Sequence, residues 1–258
     1  MKIIPCTQGE QDWLDAKRGL PSASNFHLII TAGGKPSKQA EGYAYKLATE
    51  ILMGQTYDEK GRPIGAIGNL PAIVRGRALE PTAAAFYEYD TGWKTTKVGL
   101  IVRDDGRAGA SPDRIVHTGT DLRGGVEFKC PYPHTHLEYV VAGFGTDYIV
   151  QAQGQNWCSD FDFVDRVSFL PGGPGHRERT FRDEGWMKLF DVEMAKFYEL
   201  LDRTLEKARA AGEWVPMPVV TQEDFVRPRG FQRERFDASN PFAQEFDPAM
   251  YGGAEDVA

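Results

Sequence analysis

Residues 111–130 read SPDRIVHTGTDLRGGVEFKC and hold the chain's most chemically loaded spacing. Asp113 follows a proline, and Glu127 and Lys129 come fourteen and sixteen residues later with only Phe128 between them. The segments RIVH and GVEFK are short and β-prone. TGTDLRGG between them is turn material, because Gly and Asp tolerate positive φ. The pattern predicts a β-hairpin. Centred on Thr120, it pairs residues whose numbers sum to 240, which sets Asp113 opposite Glu127 and Ser111 opposite Lys129. Side chains alternate along a strand, so Glu127 and Lys129 share one face while Val126 and Phe128 take the other.

Two carboxylates, an ammonium and a hydroxyl on one patch of sheet suggest a definite chemistry. Facing acids repel unless a compensating charge lies between them. A hard divalent cation removes that repulsion, and Mg²⁺ typically takes one or two carboxylates together with water and substrate phosphate. A lysine beside it orients or deprotonates the attacking water, or stabilises charge on the phosphate. This is a layout for phosphodiester hydrolysis. The competing reading is an exposed hairpin with ordinary surface charges, because E-x-K recurs by chance. The combination PD…EFK matches the motif of the PD-(D/E)XK nucleases.

Composition narrows the classes. At 258 residues, 41% hydrophobic and 12% aromatic, the chain suits one large domain or a domain with a tail. No apolar run approaches the roughly 20 residues of a membrane span. MKIIPCTQGEQDW lacks the apolar stretch of a signal peptide, so a cytoplasmic setting is expected. Three scattered cysteines, Cys6, Cys130 and Cys158, suit reduced thiols and fall short of a four-cysteine cluster. The net charge of −7 excludes a broadly basic nucleic-acid coat. Residues 213–258 carry nine acids and four arginines, a net of −5, which leaves the remainder at −2. Contact with DNA must then rest on local basic groups and metal.

The positioning elements follow from period and punctuation. Gln11 to Arg18 suits a short helix broken by Gly19-Leu20-Pro21, after which Ser22 or Ser24 caps a second helix through Phe26, Leu28 and Ile29. A serine at a helix start beside Lys17 and Arg18 is either a phosphate pocket or an ordinary cap. Residues 31–39 read as a loop, 43–54 as an amphipathic helix, and 58–69 as an exposed glycine-rich stretch. Residues 76–92 read as a helix in which Pro81 either sits in the first turn, with Glu80 at the entry, or bends it. WKTTKVGLIVRDDG (93–106) and RAGASPDRIV (107–116) read as successive strands, giving a three-strand meander. His134 and His136 are expected to be exposed. Residues 146–160 form a helix with Gln151 and Gln155 one turn apart. Residues 161–170 form a strand and 171–180 a basic loop. Residues 186–212 form the longest helix, lying across the sheet. The sum is an α/β (α+β) fold, a central mixed sheet flanked by helices. Residues 1–212 form its domain, and 213–258 a Pro-containing arm and acidic tail that either wraps a neighbouring subunit, docks on a partner or serves as a linker.

Several stretches together resemble one family. QGEQDW…KRGLPSAS, GRALEP, RDDGRAGASPDRIV, GGVEFKCP and YIVQAQGQNW stand in the order and spacing of the YqaJ-type viral recombinase nucleases, the phage lambda exonuclease family. The resemblance covers about residues 8–205 and implies a PD-(D/E)XK core. It implies Asp113 and Glu127 as metal-binding carboxylates, the Phe128 backbone carbonyl as a further ligand, and Lys129 as the catalytic lysine. Glu80 matches a helix glutamate bordering the metals, Gln151 the motif glutamine, and Asp104 an accessory acid if one gap is allowed. Ser24 and Ser111 match groups holding a terminal 5′-phosphate. Where the family has an arginine in that pocket this chain has Lys17, with Arg18 next, so either Lys17 substitutes or Arg18 reaches. The implied activity is Mg²⁺-dependent 5′-to-3′ digestion of one strand of duplex DNA ends, with one or two ions and Mn²⁺ as a substitute. The implied assembly is a homotrimeric ring that hands the 3′ strand to a phage single-strand annealing protein in the bacterial cytoplasm. The readings it displaces are a structure-specific or restriction-type endonuclease and a non-catalytic DNA-binding scaffold.

Overall fold

The computed structural model describes residues 1–54 and 71–215. The glycine-rich stretch 58–69 and the arm and tail from 216 onward lie outside the described residues. The elements in order are β1 (Lys2–Ile4), α1 (Gln11–Lys17), a 3₁₀ segment (Ala23–Leu28), α2 (Ala40–Met53), α3 (Pro71–Thr91), β2 (Lys94–Lys97), β3 (Leu100–Val102), β4 (Gly109–Ala110), β5 (Arg114–His117) and β6 (Arg123–Lys129). They continue with α4 (Pro133–Ala142), α5 (Asp147–Ser159), β7 (Phe163–Ser168), β8 (His176–Phe181) and α6 (Glu184–Ala211).

The strands form two sheets. The larger runs β2-β5-β6-β7-β8 and the smaller β1-β3-β4. Among the described strands only β6 and β7 are parallel; the other pairs are antiparallel, so the larger sheet is mixed as expected. The β5–β6 hairpin pairs Arg114 with Val126 and His117 with Arg123, so partner numbers sum to 240, the predicted register.

The meander is a correction. Residues 93–106 are two strands in different sheets, parted at Val98-Gly99, and 107–116 are likewise parted at Ser111-Pro112-Asp113. Each break has a local cause. A side chain on Gly99 would strike the Cys6 carbonyl, so glycine is what lets the first strand pass so close. Pro112 offers no N–H to a ladder. Gln8 fastens both breaks: its Nε2 donates to the Val98 carbonyl at 2.8 Å and to the Pro112 carbonyl at 2.7 Å.

The larger sheet is covered on two faces. Val126, Phe128, Phe163 and Val167 pack with Ala83, Ala84 and Tyr87 of α3. On the opposite face Val164 and Ile115 meet Ala152 of α5. Helix α3 starts five residues earlier than expected, so Pro81 lies inside it and Glu80 stands in mid-helix and not at the entry. Helix α6 has the expected apolar stripe of Met187, Phe190, Met194, Phe197, Leu201 and Leu205. It packs on α2, α5 and the 3₁₀ segment and not across the sheet; Phe197 stacks on Tyr43 and Phe190 meets Phe26 and Trp157. Asp183 caps it by accepting the Trp186 N–H at 3.0 Å.

Three further expectations are corrected. Residues 176–181 are the edge strand β8, held by antiparallel pairing to the fully buried β7. His136 is buried at 2% exposure, bonded to Ser168 Oγ at 2.7 Å and to the Pro174 carbonyl at 2.9 Å; His134 is exposed. Residues 23–28 are a 3₁₀ segment, and Ser22 at its start makes no side-chain cap.

A buried polar network fixes the α3 side of the sheet. Asp165, with no exposure, accepts from Arg179 Nε at 2.8 Å, Arg179 Nη2 at 2.7 Å and the Tyr87 hydroxyl at 2.7 Å. Removing one partner of such a group leaves a buried charge uncompensated. Asp165→Ala is expected to cost about 3–5 kcal/mol in denaturant unfolding. Tyr87→Phe, which removes one hydrogen bond, should cost nearer 1 kcal/mol in the same measurement.

Candidate active site

Asp113 stands one residue before β5, and its Oδ2 accepts the Phe128 N–H at 2.6 Å. The backbone of β6 therefore holds the Asp113 carboxylate beside Glu127. Lys129 Nζ donates to Glu127 Oε1 at 2.8 Å and lies 5.4 Å from the centre of the Tyr148 ring. From α5, Gln151 Nε2 donates to Glu127 Oε1 at 3.2 Å and Gln155 Nε2 to Glu127 Oε2 at 3.0 Å. Alternation along β6 explains the gathering. Val126 and Phe128 fill the α3 core, so Glu127 and Lys129 turn to the face that α5 covers.

The electrostatics are those of two acids held together. Burial, and then the Glu127 charge, push the Asp113 carboxyl well above the usual carboxylate range, against the Phe128 N–H and the Lys129 charge. Burial works against the Lys129 ammonium, but Glu127 outweighs it and lifts the group above the ordinary lysine value. A divalent cation would relieve the first strain directly. Among the described residues no group of three or more His, Cys, Asp and Glu side chains is placed to hold a metal. The side-chain donors there are the carboxylates of Asp113 and Glu127. That fits a hard ion such as Mg²⁺, which keeps water and substrate phosphate as ligands. It does not fit a closed nitrogen and sulfur cage.

The remaining expected residues fall into three groups. Lys17 lies over the Trp13 ring at 4.5 Å, and the Trp13 indole N–H donates to Ser111 Oγ at 2.9 Å. Burial, then the neighbouring Lys46, pushes the Lys17 ammonium down, while Glu50 and Glu127 act the other way. Arg18 pairs with Asp15 instead, which separates the two basic residues the sequence left as alternatives. Ser24 is exposed, with its hydroxyl 3.3 Å from that of Ser22, whose backbone bridges Gly109 beside β4. Ser111 follows β4 directly. It lies outside the β5–β6 ladder and is bonded to Trp13, so it is not the ladder partner of Lys129 that the hairpin predicts.

Glu80 is engaged elsewhere, 3.2 Å from Lys97 Nζ and 3.6 Å from Arg114 Nη2, though its charge still reaches Asp113. Asp104 is 83% exposed and paired with the Met1 amino group at 2.6 Å, so it takes no part in the network around Glu127. Gln155, Gln8 and Tyr148 contribute to the site without having been selected from the sequence. Gln155 alone had a signal, its one-turn spacing from Gln151 on a helix.

The model of the YqaJ-like viral recombinase domain matches residues 12–162. An alkaline exonuclease from Laribacter hongkongensis, LHK-Exo, superposes with a TM-score of 0.64 at 30% identity, covering 78% of this chain and 98% of that one. Its complex with dAMP gives 0.65 at the same identity and coverage. A phage related exonuclease from Haemophilus somnus 129PT shares the fold, with a TM-score of 0.57 at 15% identity over 73% of this chain and 96% of that one. No curated protein matches the chain. No described helix is long and apolar enough to cross a membrane. With more than half its length matched by one family model and a 30%-identical exonuclease covered almost end to end, the chain belongs to the YqaJ-like viral recombinase family and is a nuclease, a hydrolase of DNA phosphodiester bonds.

Proposed function

We propose that this nuclease is a Mg²⁺-dependent 5′-to-3′ exodeoxyribonuclease that resects one strand of linear duplex DNA and leaves a 3′ single strand for recombination by annealing. The observation that carries the chemistry is the convergence of Asp113, Glu127 and Lys129 on one patch, with Phe128 N–H to Asp113 at 2.6 Å and Lys129 to Glu127 at 2.8 Å. Bound Mg²⁺, or Mn²⁺ in its place, would supply a Lewis acid for the scissile phosphate and a lowered pKa for its water.

The chain's own groups do the rest. Asp113, Glu127 and the Phe128 carbonyl would hold the ion. Gln151 and Gln155 fix both oxygens of Glu127, so its carboxylate meets the ion in one orientation. Lys129 orients the water and stabilises charge developing on the phosphate. Ser24, Ser111 and Lys17 hold the terminal 5′-phosphate, which fixes the direction of travel. Lysine keeps the charge of the family's arginine without its two-pronged geometry.

A homotrimeric ring around DNA, handing its product to a single-strand annealing protein in the bacterial cytoplasm, completes the reading. Topology would then keep a chain of net charge −7 on its polyanionic substrate where general electrostatic attraction does not.

Linear duplexes labelled at either end, with and without 5′-phosphate, test the polarity beside a covalently closed duplex. Release of 5′ label with the closed form intact is expected; cutting of the closed form would make the protein an endonuclease. Asp113→Ala and Lys129→Ala should fold as the parent does and lose cleavage by at least about 10²-fold. Lys17→Ala should shrink the preference for 5′-phosphorylated ends by about tenfold, the size of one charge-assisted hydrogen bond. Arg18→Ala should leave that preference in place.

A further inference from the structure

Beyond Lys129 the β6 strand ends at a cavity that adjoins the catalytic cluster. It has a volume of about 200 Å³ and lies between the first turns of α3 and the entry of α4, with Lys129 itself in its wall. The carboxyl ends of parallel strands are where open sheets place their ligands. Arg75 and Tyr132 both line this cavity, and the Arg75 guanidinium lies over the Tyr132 ring, its carbon 5.6 Å from the ring centre. Tyr132 is 46% exposed and stands at the cap of α4, just ahead of Pro133. Arg75 Nε is buried and has no hydrogen-bond partner among the described residues. Tyr139 forms a fixed inner wall: its ring stacks on Phe144 at 4.6 Å and its hydroxyl meets that of Tyr148 at 3.1 Å. Cys130 and Pro131 supply the apolar lining.

Each of these features points to a nucleotide. A guanidinium in the cavity wall suits an anionic oxygen, because Arg matches phosphate geometry. An exposed phenol ring beside it offers a stacking surface for a base, and stacking accepts every base because each has a π face. An enzyme that removes successive nucleotides needs that tolerance. Lys129 lies in the cavity wall and in the catalytic cluster, so an occupant would be the nucleotide next to the reacting phosphate.

We infer that the Arg75–Tyr132 cavity is a nucleotide subsite of the cut strand, with Tyr132 stacking the base and Arg75 holding the phosphate. The inference rests on the nuclease reading for its substrate but on separate residues for its test. Steady-state kinetics on a linear duplex would be paired with calorimetric binding of two probes, deoxyadenosine monophosphate and the base-less deoxyribose 5-phosphate.

Tyr132→Ala is expected to raise KM about tenfold or more and to weaken the nucleotide probe equally, without moving the base-less probe. Tyr132→Phe should restore both values. Arg75→Ala should weaken both probes, and Arg75→Lys should recover part of the loss. The subsite is overturned if Tyr132→Ala and Arg75→Ala bind both probes as the parent does, or if Tyr132→Phe is as impaired as Tyr132→Ala. If the parent chain cuts no DNA, the nuclease reading fails by itself. The calorimetry then still decides the subsite: a Tyr132-dependent preference for the probe with a base supports it, and equal binding of the two probes rejects it.

Discussion

Two carboxylates held side by side in a folded chain are a constraint the rest of the molecule must satisfy. Left alone, Asp113 and Glu127 would drift apart or take up a proton. Here Asp113 is tied by a backbone N–H of β6 and Glu127 by one ammonium and two amides. Those bonds hold the side chains still, while burial and the Glu127 charge push the Asp113 carboxyl above the usual carboxylate range. They leave the mutual repulsion as a standing attraction for a divalent cation. The low positive charge of the chain suits the same design, since affinity for phosphate would be concentrated at Lys129 and a cation held beside it.

The two sheets follow from what that pair requires. Asp113 must enter the hairpin from a segment free of its own ladder, and Pro112 supplies the break. Gln8 then pins the Pro112 carbonyl and the Val98 carbonyl together, so both crossings between sheets are fixed by one side chain. The faces of β6 divide the work. Val126 and Phe128 enter the core with α3, and the opposite face is given to α5, whose glutamines reach Glu127. Asp165 carries its own buried charge toward α3, fully matched by Arg179 and Tyr87, and so does not compete for the ion.

What could be read from the sequence was what local pattern controls. The hairpin register depends only on turn chemistry and alternation, and it holds to the residue through Arg114↔Val126. Helices α1, α2, α5 and α6 follow from period, with Gly19, Gly54 and Gly212 closing α1, α2 and α6 and Asp183 capping α6. The division into two sheets was not legible, because it depends on Gly99 meeting the Cys6 carbonyl and on Gln8 bridging across 90 and 104 residues. Pro81 signalled a helix start when it lies in mid-helix. Buried His136 read as exposed because Ser168 and the Pro174 carbonyl, its partners, are distant in sequence. The family resemblance named Gln151. It did not name Gln155, whose contact with Glu127 needs the fold to be known.

The central claim is that Asp113 and Glu127 together form a site for a divalent ion. Its most direct test is calorimetric titration of Mg²⁺, and of Mn²⁺, into the metal-free protein and into Glu127→Gln, a substitution that keeps shape and removes charge. Saturable binding to the parent chain and its loss in the variant is the predicted result. Equal binding to both proteins, or no binding to either, would contradict the account.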